Sequence, residues 1–237
     1  MKDLRTIRII LSTLFFIGAV AYLAVSPALH PMVRVVEKVQ IVPSLIASCM
    51  GTIIIWLCIT FILGRVYCSS VCPVGTLQDI VIPLRRFIPF LNRPFSYQKA
   101  RPVRYNILII YVVCLLMGAA AISYWIEPWN IMRNICGATE ESEWLTFGVS
   151  VGTGIVAGIV SALLVIVCAL FTGRGFCNTV CPIGAALGCF HDFTLYHIEI
   201  DPDKCINCMK CEEVCKSQCV KVVGRYVDNS RCVRCFD

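Results

Sequence analysis

A duplicated cysteine motif constrains this chain more than any other feature of its sequence. The first copy, residues 64–75, reads Gly-Arg-Val-Tyr-Cys-Ser-Ser-Val-Cys-Pro-Val-Gly, and the second, residues 173–184, reads Gly-Arg-Gly-Phe-Cys-Asn-Thr-Val-Cys-Pro-Ile-Gly. The copies lie 109 residues apart, and each follows a long apolar stretch. Thiols repeated at one spacing favour soft-metal chemistry, and the apolar stretches place that chemistry beside a membrane.

Four apolar segments are long enough to cross a bilayer. With 58% hydrophobic and 15% charged residues, the chain is too apolar for an ordinary soluble domain. A helix needs roughly 20 apolar residues to cross the hydrocarbon core, and the predicted spans cover residues 7–26, 41–64, 103–123 and 145–173. The first span follows basic residues, as a signal peptide does. It is longer than the apolar region of a signal peptide and lacks a small-residue cleavage site, so we expect it to remain as a span.

The basic residues predict which side of the membrane each segment faces. Of the 21 Lys and Arg residues, 18 fall in the N-terminal tail, in the loop between the second and third spans, or from Arg174 onward. Because basic loops stay in the cytoplasm, both termini and all cysteine motifs are predicted to lie on the cytoplasmic side of a bacterial-type inner membrane. Structural disulfides rarely persist in that compartment. The net charge of +6 is typical of a membrane protein with basic cytoplasmic loops, so it does not indicate a nucleic-acid partner.

The two motif copies close two similar units of sequence. Each unit runs from a span through an outer loop into a second span and the motif, so the repeat is parallel. A pseudo-twofold axis along the membrane normal would bring both cysteine pairs to one cytoplasmic-side location. The predicted fold is an all-α membrane protein with four transmembrane helices as a parallel two-helix repeat, plus a small cytoplasmic bacterial-ferredoxin-like domain. The predicted domains are residues 1–92, ending in an amphipathic segment, 93–198 and 199–237.

The spacing within each motif suggests how its thiols are presented. On a helix, residues i and i+4 project from one face, so Cys68 with Cys72, and Cys177 with Cys181, would each present two sulfurs together. Proline after the second cysteine is expected where the chain leaves that turn. Four converging thiolates suit an iron–sulfur cluster or a zinc ion, and a nearby ferredoxin motif favours iron–sulfur. Simple packing of small apolar side chains and a thiol–disulfide pair remain as alternatives.

The most specific metal-binding pattern lies near the C-terminus. The spacing Cys-x2-Cys-x2-Cys-x3-Cys, typical of bacterial ferredoxins, is formed by Cys205, Cys208, Cys211 and Cys215. Cys232 and Cys235 begin a second copy whose third cysteine would fall at position 238, one beyond the last residue, so we expect the encoded domain to continue. At least one 4Fe–4S cluster is predicted in this domain, and Cys219 is an additional candidate ligand.

Other candidate sites rest on weaker patterns. The three histidines lie outside the predicted spans, which argues against a transmembrane bis-histidine haem, and the sequence has no Gly-rich nucleotide loop. Glu127 lies in an aromatic segment of the second outer loop, which is either a membrane-interface anchor or the location of an acceptor for a quinol proton. Cysteines inside the spans are predicted to pack as small hydrophobic residues.

The motifs resemble those of the membrane polyferredoxins of the NapH/NosR/CcoG type. Segments 64–79, 173–188 and 205–235 match the family pattern of two membrane motifs and a cytoplasmic ferredoxin domain. The resemblance implies a quinol-linked electron carrier in which the motif cysteines and the ferredoxin cysteines are the functional residues. This sequence has no outer flavin-binding domain and no Ig-like domain, so NapH-like members are nearest. It departs from the pattern at Lys216, where a proline usually follows the fourth ferredoxin cysteine.

The sequence therefore predicts a membrane-bound iron–sulfur subunit. It would relay electrons between the cytoplasmic face or the quinone pool and a partner oxidoreductase complex, in contact with lipid and other subunits. We expect an electron-transfer subunit rather than a catalyst in its own right. Two alternatives remain open: a redox-sensing or assembly factor for a membrane or periplasmic metalloenzyme, and a quinol dehydrogenase with its own quinone site.

Overall fold

The fold is mainly helical. A computed structural model describes residues 2–24, 36–46, 49–117, 125–136 and 151–236 of the chain. The α-helices are α1 (Lys2–Ala24), α2 (Ile41–Ile46), α3 (Met50–Leu63), α4 (Tyr67–Ser70), α5 (Pro73–Val81), α6 (Val103–Leu116), α7 (Pro128–Cys136), α8 (Val151–Thr172), α9 (Gly175–Thr179), α10 (Pro182–Cys189) and α11 (Lys210–Glu213). Two 3-10 helices, Ile82–Phe87 and His191–Phe193, follow α5 and α10.

Apolar helices occupy the positions of the four predicted spans. Among the described residues, one helical stretch, Asp3–Leu23, is long and apolar enough to cross a bilayer. The apolar stretches Met50–Leu63, Val103–Leu116 and Gly158–Thr172 are shorter than the roughly 20 residues that a crossing helix needs. The helical class is therefore confirmed in these segments, whereas four crossing helices remain a prediction.

A short helix from each repeat unit reaches the cysteine motifs. Val42 of α2 and Ile131 of α7 belong to the same buried apolar cluster as the motif cysteines. The sequence favoured a membrane-interface anchor for the aromatic segment that leads into α7. Trp125 in that segment is half-exposed, but Trp129 is only 3% exposed. The segment therefore packs inward, because α7 uses its apolar face against α8 and α5.

The C-terminal residues form a small domain that lies against the motifs. Its α11 is followed by strands β1 (Val220–Lys221) and β2 (Tyr226–Val227), which pair antiparallel with Val220 opposite Val227. The all-α class was predicted for the membrane part, and the prediction of a ferredoxin-like domain did not specify this hairpin. It forms where β-branched residues on either side of a Gly-Arg turn favour extended backbone.

Candidate metal centre

The four cysteines of the two motifs lie in one buried cluster. Cys68, Cys72, Cys177 and Cys181 are each 3% exposed and share a single apolar core. The two motifs are far apart in sequence but adjacent in the fold. Four buried thiols from two halves of the chain thus lie in one apolar core.

Each motif holds its two cysteines on two different short helices. Cys68 lies within α4, whereas Cys72 is the residue that caps the N-terminus of α5, with φ −66° and ψ 118°. Cys181 caps α10 with the same two angles. The expectation that each pair lies on one helix is wrong, because proline disfavours helical backbone in the residue before it and is itself favoured as the first residue of a new helix.

The last glycine of each motif is required by a close backbone approach. A Cβ atom on Gly75 would lie 2.1 Å from the carbonyl oxygen of Cys68, and one on Gly184 would lie 2.2 Å from that of Cys177. No side chain fits at such a distance. The glycine therefore lets the helix after the second cysteine fold back tightly onto the first cysteine of its own motif.

The arginine of each motif is hydrogen-bonded to the other motif. Arg65 donates from Nη2 to the carbonyl oxygen of Cys177 at 3.1 Å. Arg174 donates from Nη1 to the carbonyl oxygen of Cys68 at 2.8 Å. The two contacts are equivalent under the sequence repeat, and they cross-link the motif halves directly beside the thiols.

The charge of Arg65 fits a negatively charged group among these thiols. Arg65 is 1% exposed, and its other hydrogen bonds go to neutral acceptors, Oδ1 of Asn178 at 3.0 Å and the carbonyl oxygen of Ser230 at 2.9 Å. A guanidinium stays charged in proteins, and its burial is costly unless an anion compensates it. An iron–sulfur cluster held by four thiolates carries net negative charge. Four thiols beside a buried guanidinium therefore fit such a cluster.

Asp79 balances the second arginine. Its carboxylate accepts from Nη2 of Arg174 at 2.6 Å and from Nη1 of Arg8, on α1, at 2.8 Å. Nζ of Lys216, in the C-terminal domain, lies 3.7 Å away. Burial alone would raise the pKa of Asp79, but the surrounding cations, Arg174 foremost, hold it well below its usual range. One carboxylate thus ties together α1, both motifs and the C-terminal domain.

Burial raises the pKa of three of the motif thiols. It raises the pKa of Cys177 to about 12, while nearby Arg174 opposes the increase. Burial, together with the neighbouring motif thiols, also raises the pKa of Cys72 and Cys181 well above the ordinary thiol value. The thiols of Cys72, Cys177 and Cys181 therefore favour the protonated form at neutral pH. A bound cluster would displace those protons, because only a thiolate is a metal ligand.

The cysteines of the C-terminal domain divide by exposure. Cys208 and Cys211 are exposed, whereas Cys219 is 1% exposed. The sulfurs of Cys215 and Cys219 lie 3.6 Å apart, and Cys219 is also hydrogen-bonded to Cys232. Hydrogen bonding with Cys219 lowers the pKa of Cys215 to about 6 and that of Cys232 to about 7. Cys219, the additional candidate ligand, therefore lies beside two of the other predicted ligands, Cys215 and Cys232.

The remaining predicted ligands occupy separate positions. Cys205 is half-buried, and its Sγ contacts Oδ1 of Asn207 at 3.7 Å. Cys235 packs against the motif core. Within the described ranges, no three His, Cys, Asp or Glu side chains are arranged to hold a single metal ion. That statement concerns single ions, since a 4Fe–4S cluster takes one thiolate per iron.

The C-terminal domain docks onto the motif arginines and glycines. The backbone N–H of Arg174 donates to the carbonyl oxygen of Lys216 at 2.9 Å. Gly64 has φ +69°, and a Cβ there would lie 1.7 Å from Nη1 of the buried Arg234. Lys216 thus uses both its carbonyl and its ammonium group at this interface, which gives a structural role to the residue that departs from the family pattern.

Sequence reasoning missed the polar residues that hold this centre together. From the sequence, Arg65 and Arg174 served only as basic residues that predict the cytoplasmic side of the membrane. Gln78 and Asp79 had no predicted role in the site. The usable signal was the Gly-Arg pair that opens both motif copies. Two cysteines outside the predicted ligand set also differ in exposure. Cys168 packs against the motif core, whereas Cys189 is exposed.

Known protein families match the same parts of the chain. Residues 46–90 and 155–195 match a family described as a 4Fe-4S binding domain, and residues 197–220 match a second family with the same description. Each repeat unit thus contributes one segment, from its second span through its motif. No solved structure matches the chain significantly.

Several characterised or sequenced proteins are similar along much of the chain. The ferredoxin-type protein NapH of Escherichia coli is 28% identical over 205 residues, covering 79% of this chain and 63% of NapH. The methylamine utilization ferredoxin-type protein MauN of Paracoccus denitrificans is 31% identical, covering 70% of this chain and 53% of MauN. Protein MJ0749 of Methanocaldococcus jannaschii is 28% identical, covering all of this chain and 83% of MJ0749. The chain spans less than two thirds of NapH and about half of MauN.

Proposed function

Because this chain belongs to the NapH-like ferredoxin-type proteins and carries 4Fe–4S clusters, we propose that it is the membrane-embedded relay subunit of an oxidoreductase complex. It passes single electrons between the cytoplasmic face or the quinone pool and a partner enzyme. The observation that carries this proposal is the direct docking of the C-terminal ferredoxin-like domain onto the buried four-cysteine core.

The chain's own residues supply the binding, the charge balance and the exclusion of water. Cys68, Cys72, Cys177 and Cys181 would hold a cluster in the core. Cys205, Cys208 and Cys211 would hold one in the C-terminal domain, with Cys215 or a later cysteine as the fourth ligand. Arg65 compensates the negative charge of the core site, and burial keeps solvent away from it. A bound 4Fe–4S cluster supplies one-electron redox chemistry, with a potential set by burial and by hydrogen bonds to sulfur.

The outer surface of the four long helices supports a membrane location. Each exposes large apolar side chains that would be costly in water: Ile10 is 61% exposed, Ile55 59%, Ile109 61% and Ile159 56%. Exposed apolar faces of this kind suit lipid contact. With the positive-inside pattern, they support four spans with both termini and all cysteine motifs on the cytoplasmic side.

Iron and sulfide analysis with low-temperature EPR tests the core site. We expect Cys68→Ser and Cys177→Ser to remove the iron and the EPR signal of one cluster from anaerobically purified full-length chain. Cys58→Ser is the matched control, because Cys58 is exposed on α3 and lies outside both motifs. Unchanged cluster content in both motif variants would show that the motif cysteines only pack in the core and do not bind a cluster.

A deletion strain separates the relay from an assembly or sensing factor. For a relay, loss of the chain stops electron flow to the partner oxidoreductase while that enzyme keeps its full metal content. Intact electron flow with a metal-deficient partner would instead support the assembly role and overturn the relay.

A second candidate function, quinol oxidation by this chain itself, is favoured by Glu127. This residue is 1% exposed and accepts the backbone N–H groups of Trp129 at 3.1 Å and Asn130 at 2.9 Å. Burial raises its pKa to about 7, which suits a group that exchanges a proton near neutral pH. Quinol-dependent reduction of the clusters in the isolated chain, slowed in Glu127→Gln, would support this function. Equal rates in both would exclude a role for Glu127.

A further inference from the structure

Gln78 is a fully buried amide that points at a motif thiol. It lies in α5 and has no exposed surface. Its Oε1 accepts a hydrogen bond from Sγ of Cys177 at 3.0 Å, across the boundary between the two motifs. Its Nε2 is buried and has no hydrogen-bond partner among the described residues. An unpaired amide N–H in a protein core is costly, so Nε2 of Gln78 is a donor available to an acceptor in the core.

The carboxamide of Gln78 can face Cys177 with either its oxygen or its nitrogen. The oxygen, Oε1, is the atom that lies 3.0 Å from Sγ of Cys177. A thiolate bound to iron has no proton and only accepts. A half-turn of the carboxamide exchanges its nearly isosteric oxygen and nitrogen, which places Nε2 where Oε1 now lies. The unpaired donor then has an acceptor, and the unpaired group becomes a carbonyl oxygen, which is tolerated more often.

The sequence repeat provides an internal comparison. The residue that corresponds to Gln78 in the second motif is Leu187, which lies in the same apolar core. The leucine has no donor. The two halves of the core site are therefore built alike in their glycines and arginines but differ at this position, where only the first half places a side-chain carboxamide beside a motif thiol.

We infer that Gln78 donates a hydrogen bond to the thiolate of Cys177 in the cluster-bound chain and raises the reduction potential of the core cluster. The inference rests on the proposed cluster at the four motif cysteines. Hydrogen bonds to ligand sulfurs stabilise the more negative, reduced state of a cluster. Gln78 acts through Cys177 and is therefore a positioning and tuning residue rather than a ligand.

An EPR-monitored redox titration of the anaerobic full-length chain tests this role. The signal to follow is the one lost in Cys68→Ser, and the ferredoxin-domain signal is the internal reference. We expect Gln78→Leu, which copies the second motif, and the unbranched Gln78→Met to lower the reduced-to-oxidised ratio at a fixed potential by up to about tenfold. Tenfold corresponds to about 59 mV for a one-electron couple. Leu187→Gln, which adds a donor on the other half, should shift the potential upward.

A spectroscopic readout on the wild-type chain keeps the test independent of the variants' stability. Pulsed EPR on chain carrying isotopically labelled glutamine amide nitrogen should detect a coupling to the reduced core cluster, and Gln78→Met should abolish it. Absence of that coupling, or an unchanged potential in variants that retain the cluster, would overturn the inference. Retention of every cluster signal in Cys68→Ser would instead overturn the proposed core site, so the two failures are distinguishable.

Discussion

Arg174 donates a hydrogen bond from Nη1 to the carbonyl oxygen of Cys68 at 2.8 Å, joining residues 106 positions apart in the sequence. The equivalent bond runs in the opposite direction from Arg65 to Cys177. This reciprocal pair explains why an arginine follows the first glycine in both motif copies. Each arginine secures the turn that carries the other motif's first cysteine, so neither half of the core is complete alone.

Arg65→Lys should weaken the core although it keeps the charge. The planar guanidinium of Arg65 contacts three acceptors at once, and a lysine ammonium on a flexible stem cannot reproduce that geometry. We expect loss of iron from the core site, measured as iron per chain after anaerobic purification. Arg86→Lys is the matched control, because Arg86 is exposed. Full iron retention in Arg65→Lys would show that charge alone suffices.

Gly75→Ala and Gly184→Ala should each destabilise the chain by roughly 1–3 kcal/mol, the usual range for overpacking. The added Cβ would lie 2.1 Å or 2.2 Å from a cysteine carbonyl oxygen, so the motif turn must open. Thermal unfolding in detergent measures the effect. Gly51→Ala is the control, since a Cβ there meets nothing within 4 Å in α3. Equal melting temperatures for the motif variants and this control would contradict the close approach.

Asp79→Asn should destabilise the folded chain by about 3 kcal/mol, because it leaves buried cations without their carboxylate. The pKa of Asp79 is lower in the folded chain than in the unfolded one. Its stabilising contribution is therefore complete above the unfolded value of 3.8 and is lost as the pH falls through the lower folded value. Urea unfolding at pH 7 measures the difference, with the exposed Asp192→Asn as control. An Asp79→Asn chain as stable as the control would exclude this ion-pair network as a source of stability.

Glu127 should make stability fall between about pH 4.5 and pH 7. Its pKa rises from 4.5 to about 7 on folding, so the folded chain retains a proton that the unfolded chain has released. Raising the pH through this window therefore favours unfolding, by on the order of 3 kcal/mol in total. Glu127→Gln should flatten this part of the pH profile. The exposed Glu199→Gln should leave it unchanged, and a pH slope that persists in Glu127→Gln would assign it to another group.

The parts of the site that depend on local sequence could be predicted. The cysteine spacing, the prolines of the two motifs and the apolar helices all follow from neighbours within a turn or two. They predicted that the four motif cysteines would come together, and these cysteines lie in one buried cluster. The geometry of Cys72 could not be predicted from spacing alone, because the effect of Pro73 on the preceding backbone outweighs the helical i, i+4 pattern. The role of Gln78 has no local signature, since only its contact with Cys177 distinguishes it from any buried glutamine.

The sequence by itself determined the chemistry of this protein: two matched thiol pairs, a ferredoxin pattern and apolar helices beside them. Only the tertiary structure decided that the four motif thiols share one core, that Arg65 and Arg174 cross between the halves, and that Asp79 and Lys216 bind the C-terminal domain to them. The physical reason is the range of the interactions. Thiol spacing is fixed by the backbone within one turn, whereas a buried guanidinium or carboxylate takes its partners from whichever segments the fold brings into contact, here about a hundred residues away.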